Sequence, residues 1–536
     1  MGGVVAGGHP LTAEAGARTL RAGGNAVDAA VAACLMSFVC ESPLTGPGAG
    51  GFMLVHTAEG ESTLLDFFVA APGCGLAAEA RSPAELVPIG VEFSPEAVQV
   101  FNVGAASCGV PGTLAGLAHA LERFGSMPLA ELAAPAARAA RDGVELAPMQ
   151  AYLHRILAPI LGGTPEGAAL YGPPERPLRE GERLRLPDLG DLLERVGDEG
   201  PRSLYEGELA AILSDWVLER GGLLTREDLV RYATLEREPA RAAYRDREVL
   251  TNPPPSSGGI LIAFSLALLA LLNRPVDPVA LVEVMARANA ARTEDFMVGL
   301  HSEGYLERFL SRDAVEAAAG EAAAGLAPPT PATSALGKQP EGAAGGRAHD
   351  RGLGSTTHVA VLDDAGACAS VTSSNGSGSG GVVPGTGVHL NNMLGEQDLN
   401  PFGFHRHEAG RRIPSMMAPT VVLRDGVPEI ALGSAGSNRI RSAVLQTLLA
   451  VVDLGLGAKG AVERARLHLE GRRVDAEPGV DAEALAGLER AGYDVHRWRE
   501  RNLFFGGVQA VARDPDTGAL SGGGDPRRGG AAAVAA

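Results

Sequence analysis

The chain is short of positive charge. Its 46 Lys and Arg face 64 Asp and Glu, a formal net charge of −18, and no basic cluster that would neutralise a run of phosphates interrupts that surplus. Nucleic acid is therefore excluded as a general partner. Cysteine is also scarce. Cys34, Cys40, Cys74, Cys108 and Cys368 form no CxxC pair, their number is odd, and most sit among apolar neighbours, so neither a zinc site nor a disulfide framework is expected. They read as small core residues in a reducing compartment. No HExxH occurs, and His405-Arg406-His407 has no third ligand at helical spacing; no metal and no cofactor is expected. Residues 1–6 supply neither a basic leader nor a sustained apolar stretch. The most apolar helical run, residues 29–39, is far shorter than the roughly 20 residues a bilayer requires. The expectation is a cytoplasmic protein without a membrane partner, a truncated exported form being the alternative.

What is present is an ordinary globular composition, 45% hydrophobic over 536 residues, compatible with one large mixed unit. One boundary is marked. Residues 326–353 are rich in Ala, Gly and Pro and show no apolar period, which is linker composition. Beyond it, an apolar run at 358–362, the turn residues Asp363-Asp364-Ala365-Gly366 and a second strand-like run at 367–372 predict a β-hairpin. Ser355-Thr356-Thr357 lies at the junction. A hydroxyl placed where a linker enters a buried hairpin can attack the preceding carbonyl, that of Ser355, and break the chain. Thr356 would then carry a free α-amino group, of ordinary pKa about 8, as a base for its own hydroxyl. The same residues can equally be a hydroxyl-rich strand entry, since threonine favours strands.

Other local signals are structural. Asn25 should cap a helix over residues 26–40, ended by Glu41-Ser42-Pro43, and Thr225 with Asp228 makes a capping-box pattern. The glycine run at 46–51 precedes a strand, so it reads as tight backbone packing rather than as a phosphate cradle. Residues 253–259 should steer the chain from a strand into a helix over 260–272, anion binding by their backbone NH groups being the alternative. The glycine-serine run at 375–381 cannot fill a core. It is expected to be a loop whose backbone approaches a ligand.

The block from Ser355 to Asp363, followed by Thr372-Ser373-Ser374-Asn375 and by PGTGVHLNN at 384–392, resembles the γ-glutamyltransferase (glutathione hydrolase) family. GPGAGGFML at 46–54, Val110-Pro111-Gly112, PPPSSGG at 253–259, GSAGSNRI at 433–440 and Asp525-Pro526-Arg527 extend the resemblance nearly end to end. It implies an α+β fold, a four-layer αββα sandwich of the N-terminal-nucleophile hydrolase type. It further implies a precursor cut between Ser355 and Thr356 into a large segment, 1–355, ending in a flexible linker (326–355), and a small catalytic segment, 356–536, the two remaining associated. The implied reaction cleaves a γ-glutamyl or related acyl amide, such as glutathione, through an acyl-threonine and passes the acyl group to water or an amine. The implied catalytic residues are Thr356, Ser374 (or Ser373) to orient the new amine, and the backbone of Gly436 and Ser437 as an oxyanion hole, each donor of which is typically worth about 10²–10³ in rate. Asn375, Glu396 and Ser415 are the implied substrate-binding residues.

The substrate half departs from the family pattern. Phe68 stands where an arginine binds the substrate carboxylate, Met393 replaces a glutamine, Met416 the second of two serines, and Ser437 a glycine. Phenylalanine cannot make the bidentate bonds a carboxylate requires. An amide acylase with a more apolar acyl preference is therefore the alternative. A non-catalytic, unprocessed binding protein is a further one, opposed by the complete Ser355-Thr356-Thr357 block.

Overall fold

Alternation at a period of two decides the layering. In the strand Thr357–Asp363, Val359 and Val361 enter one apolar core, Ala360 and Leu362 another. The neighbouring Gly50–His56 divides Met53 and Val55 from Phe52 and Leu54 in the same way. Strands apolar on both faces must be covered on both. The computed structural model, which describes residues 2–94, 97–272, 276–323, 355–400 and 402–535, shows what covers them. Of the linker expected at 326–355, only Ser355 falls within those residues.

In chain order the strands of the two main sheets are β1 (Gly3–Gly7), β2 (Gly50–His56), β3 (Ser62–Phe67), β4 (Leu235–Arg237), β5 (Ala240–Tyr244), β6 (Arg247–Thr251), β7 (Thr357–Asp363), β8 (Cys368–Ser374), β9 (Thr420–Arg424), β10 (Val427–Ala435), β11 (Gly507–Arg513), β12 (Leu520–Gly524) and β13 (Ala531–Ala535). They pair in the orders β13-β1-β7-β8-β2-β3-β4 and β12-β11-β10-β9-β6-β5, antiparallel throughout. Helices α1 (Pro10–Arg21) and α2 (Ala26–Cys40) lie on the outer face of the first sheet, α3 (Gly258–Leu272) and α4 (Arg439–Val452) on that of the second. One core fills each of the three interfaces. The middle one, between the sheets, holds Val4, Phe52, Phe68, Leu362, Val421 and Val511 among others. This is the expected α+β, four-layer αββα sandwich.

The local expectations hold where their signals are local. Asn25 accepts from the NH groups of Val27 and Asp28 while Asp28 accepts from Asn25 NH, and Thr225 and Asp228 form the second capping box. Every residue of α2 is buried, as befits a helix that is apolar all round. The glycine run that leads into β2 and forms its first residues serves close packing: a Cβ on Gly51 would lie 2.2 Å from the Thr372 carbonyl oxygen. In the 253–259 segment the NH groups of Ser257 and Gly258 donate to the Ser415 carbonyl, at 2.8 and 3.3 Å. That commits them to steering the chain rather than to an anion. Among the described residues no helix is long and apolar enough to cross a membrane.

Candidate active site

Register brings Thr356 to Ser374. β7 and β8 pair Thr357 with Ser373, so one residue further out Thr356 comes opposite Ser374. The Thr356 hydroxyl donates to Ser374 Oγ at 3.2 Å, Ser374 Oγ donates to the Ser355 carbonyl oxygen, and Gly376 NH donates to Ser374 Oγ at 2.8 Å. The two candidate serines are thereby distinguished. Ser373 instead meets Thr45 at 2.8 Å and Thr113 at 3.3 Å.

Thr356 and Ser374 open into a cleft of about 390 Å³ that Glu396, Ser415 and Ser437 also line. Five residues expected at the site are thus brought together from distant segments. Gly436 directly precedes Ser437 at the mouth of α4. Asn375 is not among the lining residues. It is fully buried behind Ser374, with both amide atoms unpartnered among the described residues, and its Nδ2 would lie 3.4 Å from a Cβ on Gly46. The run at 375–381 is more packed than its composition implies. Asn392 accepts from Ser377 NH and donates to Ser377 Oγ, both at 2.8 Å, and only Gly376 of the run lines the cleft.

Phe68, Met393 and Met416 all line the same cleft. Phe68 is fully buried and stacks on Phe52, with ring centroids 5.3 Å apart, while its carbonyl accepts from the Tyr232 hydroxyl at 2.7 Å. Among the described residues that line the cleft there is no arginine. Arg237 and Arg412 both donate to Asp66, at 2.8 and 3.2 Å, and neither lines the cleft. The acids that do are Glu396 and Asp398.

Sequence reasoning missed Glu41 and Asp398. Glu41 reads as a helix end, yet its Oε2 accepts from Thr357 Oγ1 at 2.5 Å and its Oε1 from Thr12 Oγ1 at 2.6 Å. Burial pushes its carboxyl up to about 7, against the pull of those two hydroxyls. Asp398 accepts from the Ser437 hydroxyl and from Asn438 Nδ2. His358 is no base for Thr356: burial pushes it down to about 3, and its Nδ1 shares a hydrogen bond with Thr372 at 2.8 Å. No group of three or more His, Cys, Asp or Glu that would hold a metal ion occurs among the described residues.

Two facing antiparallel sheets between helical layers, with a buried threonine at the entry of a central strand, define the N-terminal-nucleophile hydrolase class. The family described as Gamma-glutamyltranspeptidase matches residues 12–535, and the chain belongs to that family of enzymes. It is 33% identical over 528 residues to the Acylase ACY 1 proenzyme of a Pseudomonas species, covering 97% of this chain and 91% of the relative. With the Glutathione hydrolase proenzyme of Bacillus subtilis it shares 31% identity over 554 residues, covering 99% and 91%. Among solved structures, the cephalosporin acylase from Bacillus halodurans superposes with a TM-score of 0.81 at 26% identity, covering 99% of this chain and 95% of that one.

Proposed function

We propose that the chain is a precursor that cuts itself between Ser355 and Thr356, and that the freed Thr356 then cleaves amides through an acyl-threonine. The observation that carries this is the position of Ser374 Oγ, which accepts from the Thr356 hydroxyl while donating to the Ser355 carbonyl. Thr356 Oγ attacks the Ser355 carbonyl carbon and its proton passes to Ser374 Oγ. That hydroxyl's own proton moves to the developing oxyanion. As the C–N bond breaks, the tetrahedral hydroxyl gives up that proton to re-form the carbonyl and the leaving nitrogen takes it up, leaving an ester; water hydrolyses it to a Ser355 carboxylate and a Thr356 amine. In the mature enzyme that amine serves as base. Thr356 Oγ attacks the substrate amide, backbone NH groups at Gly436 and Ser437 hold the oxyanion, the amine leaves, and water or a second amine takes the acyl group.

The family makes a γ-glutamyl amide such as glutathione the first donor to test. A second reading, an amide acylase preferring a more apolar acyl group, is favoured by Phe68, Met393 and Met416 in the wall of the cleft. The two fragments are expected to stay together. Intact mass spectrometry of freshly expressed wild type beside Thr356→Ala tests the first step: two fragments, the smaller beginning at Thr356, are expected from the wild type alone. One uncut chain in both would return the protein to the non-catalytic reading.

A further inference from the structure

The turn joining β10 to α4 contains a conformational anomaly. Ser437 has φ of +50°, and Gly436 before it +124°. The left-handed region is easy for glycine and unfavourable for residues with a Cβ. The described non-glycine residues with positive φ are Arg245, His405, Asp425 and Ser437, and only Ser437 lines the catalytic cleft. It is also the position at which the resemblance to the family implies a glycine. Something must hold a serine there.

That restraint comes from Asp398, on a separate short turn, Gln397–Leu399. Its Oδ2 accepts from the Ser437 hydroxyl and its Oδ1 from Asn438 Nδ2 at 3.1 Å. Both carboxylate oxygens thus engage two successive residues of one turn. Asn438 is gripped from the far side as well, its Oδ1 accepting from Arg292 Nη1 at 3.2 Å. On the helical side, the NH groups of Arg439 and Ile440 donate to the carbonyls of Gly436 and Ser437, at 2.9 and 3.0 Å. Gly436 and Ser437 thus immediately precede the N-terminal, positive end of α4, and Ser437 lines the same cleft as Thr356.

We propose that Asp398 is a positioning residue that latches Ser437 in the left-handed turn, keeping the Gly436 and Ser437 NH groups aimed at the oxyanion of acyl transfer where a second glycine would otherwise allow that turn. The catalytic part of this inference rests on the function proposed above. Both oxygens of Asp398 already accept hydrogen bonds from this turn, which gives it a task there beyond lining the cleft.

The test is a double-mutant cycle on the self-cleaved enzyme, with kcat and KM measured on an acyl anilide. In the wild-type background Asp398→Ala is expected to lower kcat by about 10²-fold, the typical loss for one oxyanion donor, with KM kept within about two-fold. In a Ser437→Gly background, taken relative to that variant's own rate, the same substitution should cost less than about three-fold, because glycine needs no latch. Asp398→Asn, which keeps one acceptor for the Ser437 hydroxyl, should lose less than Asp398→Ala. Equal losses in both backgrounds, or a raised KM with kcat preserved, would assign Asp398 to direct donor contact and overturn the latch. A second readout needs no turnover. In a crystal structure of Asp398→Ala, Ser437 should leave positive φ, and a residue still near +50° would overturn the proposal even if the wild type cleaves no amide and the enzymatic reading itself has failed.

Discussion

Replacing Glu41 by glutamine should stabilise the fold above neutral pH and flatten its pH dependence below it. The Glu41 carboxyl is almost wholly buried, and it rises from an ordinary value of 4.5 to about 7, burial being the largest cause. In the unfolded chain the group ionises near 4.5; in the fold it keeps its proton until about 7. The unfolded state therefore sheds a proton that the folded state retains. The associated stability is complete below 4.5 and is lost as pH rises through about 7. Two and a half pK units correspond to about 3 kcal/mol. Glutamine carries no charge to desolvate, and its amide can still accept from one of the Thr12 and Thr357 hydroxyls while donating to the other. The nearby thiols of Cys34 and Cys40 are raised by burial and further by Glu41's charge, so in the fold they stay protonated throughout this window, and their ionisation in the unfolded chain is common to both proteins. At about 2 cal/mol/K of unfolding entropy per residue, a chain of this length would gain about 3 °C in melting temperature. Scanning calorimetry from pH 4.5 to 8.5, on a Thr356→Ala background so that both samples remain one chain, should show the Glu41→Gln and parent curves diverging as pH rises. Parallel curves, or a less stable Glu41→Gln at pH 8, would refute the assignment of a desolvated carboxyl.

Three further outcomes follow from the geometry. Ser374→Ala removes the hydroxyl that bridges Thr356 and Ser355 and should slow self-cleavage by about 10²-fold, a typical contribution for a positioned proton carrier; a gel time course at the wild-type rate would take Ser374 out of that step. Phe68→Arg places a cation in the cleft wall and should raise kcat/KM on a γ-glutamyl anilide by about 10-fold, the worth of one charge-assisted hydrogen bond, while lowering the melting temperature because a guanidinium replaces a ring stacked on Phe52. No gain in activity would show that the missing arginine is not what limits such donors. Asp525→Asn weakens a buried ion cluster in which Asp525 meets Arg466 at 2.8 Å and Arg527 at 3.1 Å, and it should cost about 3–5 kcal/mol; an unchanged denaturation midpoint would mean that Glu477, which also pairs with Arg527, suffices.

The features legible in the sequence are those whose causes lie within a few residues. The β7–β8 hairpin follows from two apolar runs and a turn, and the Asn25 and Thr225 caps from a side chain reaching its own helix. Register then settles what a motif leaves open, since pairing Thr357 with Ser373 puts Ser374 opposite Thr356. Glu41 and Asp398 were illegible because their partners, Thr357 and Ser437, come from remote segments. Composition misleads at 375–381. A glycine-serine run reads as an open loop, but the side chain of Asn392 packs it into the interior. Phe68 is readable as a departure from the family pattern, yet only the sandwich shows that it belongs to the core between the sheets as well as to the cleft.

The sheet order bears on what the proposed cut can change. β7 lies between β1 and β8, and β8 between β7 and β2, so the two strands that follow Thr356 are inserted between two strands that precede the linker. The first ladder pair of β7 involves Thr357. Thr356 itself stands just outside the ladder, so breaking the Ser355–Thr356 bond removes no strand pairing. What the cut does remove is the covalent link that carries the Ser355 carbonyl onto Ser374 Oγ. Once that acceptor leaves, the serine hydroxyl is free to receive the new Thr356 amine. The same contact that would activate the carbonyl for self-cleavage can in this way orient the base of the mature enzyme, and two halves held by an uninterrupted sheet need no linker to keep that geometry.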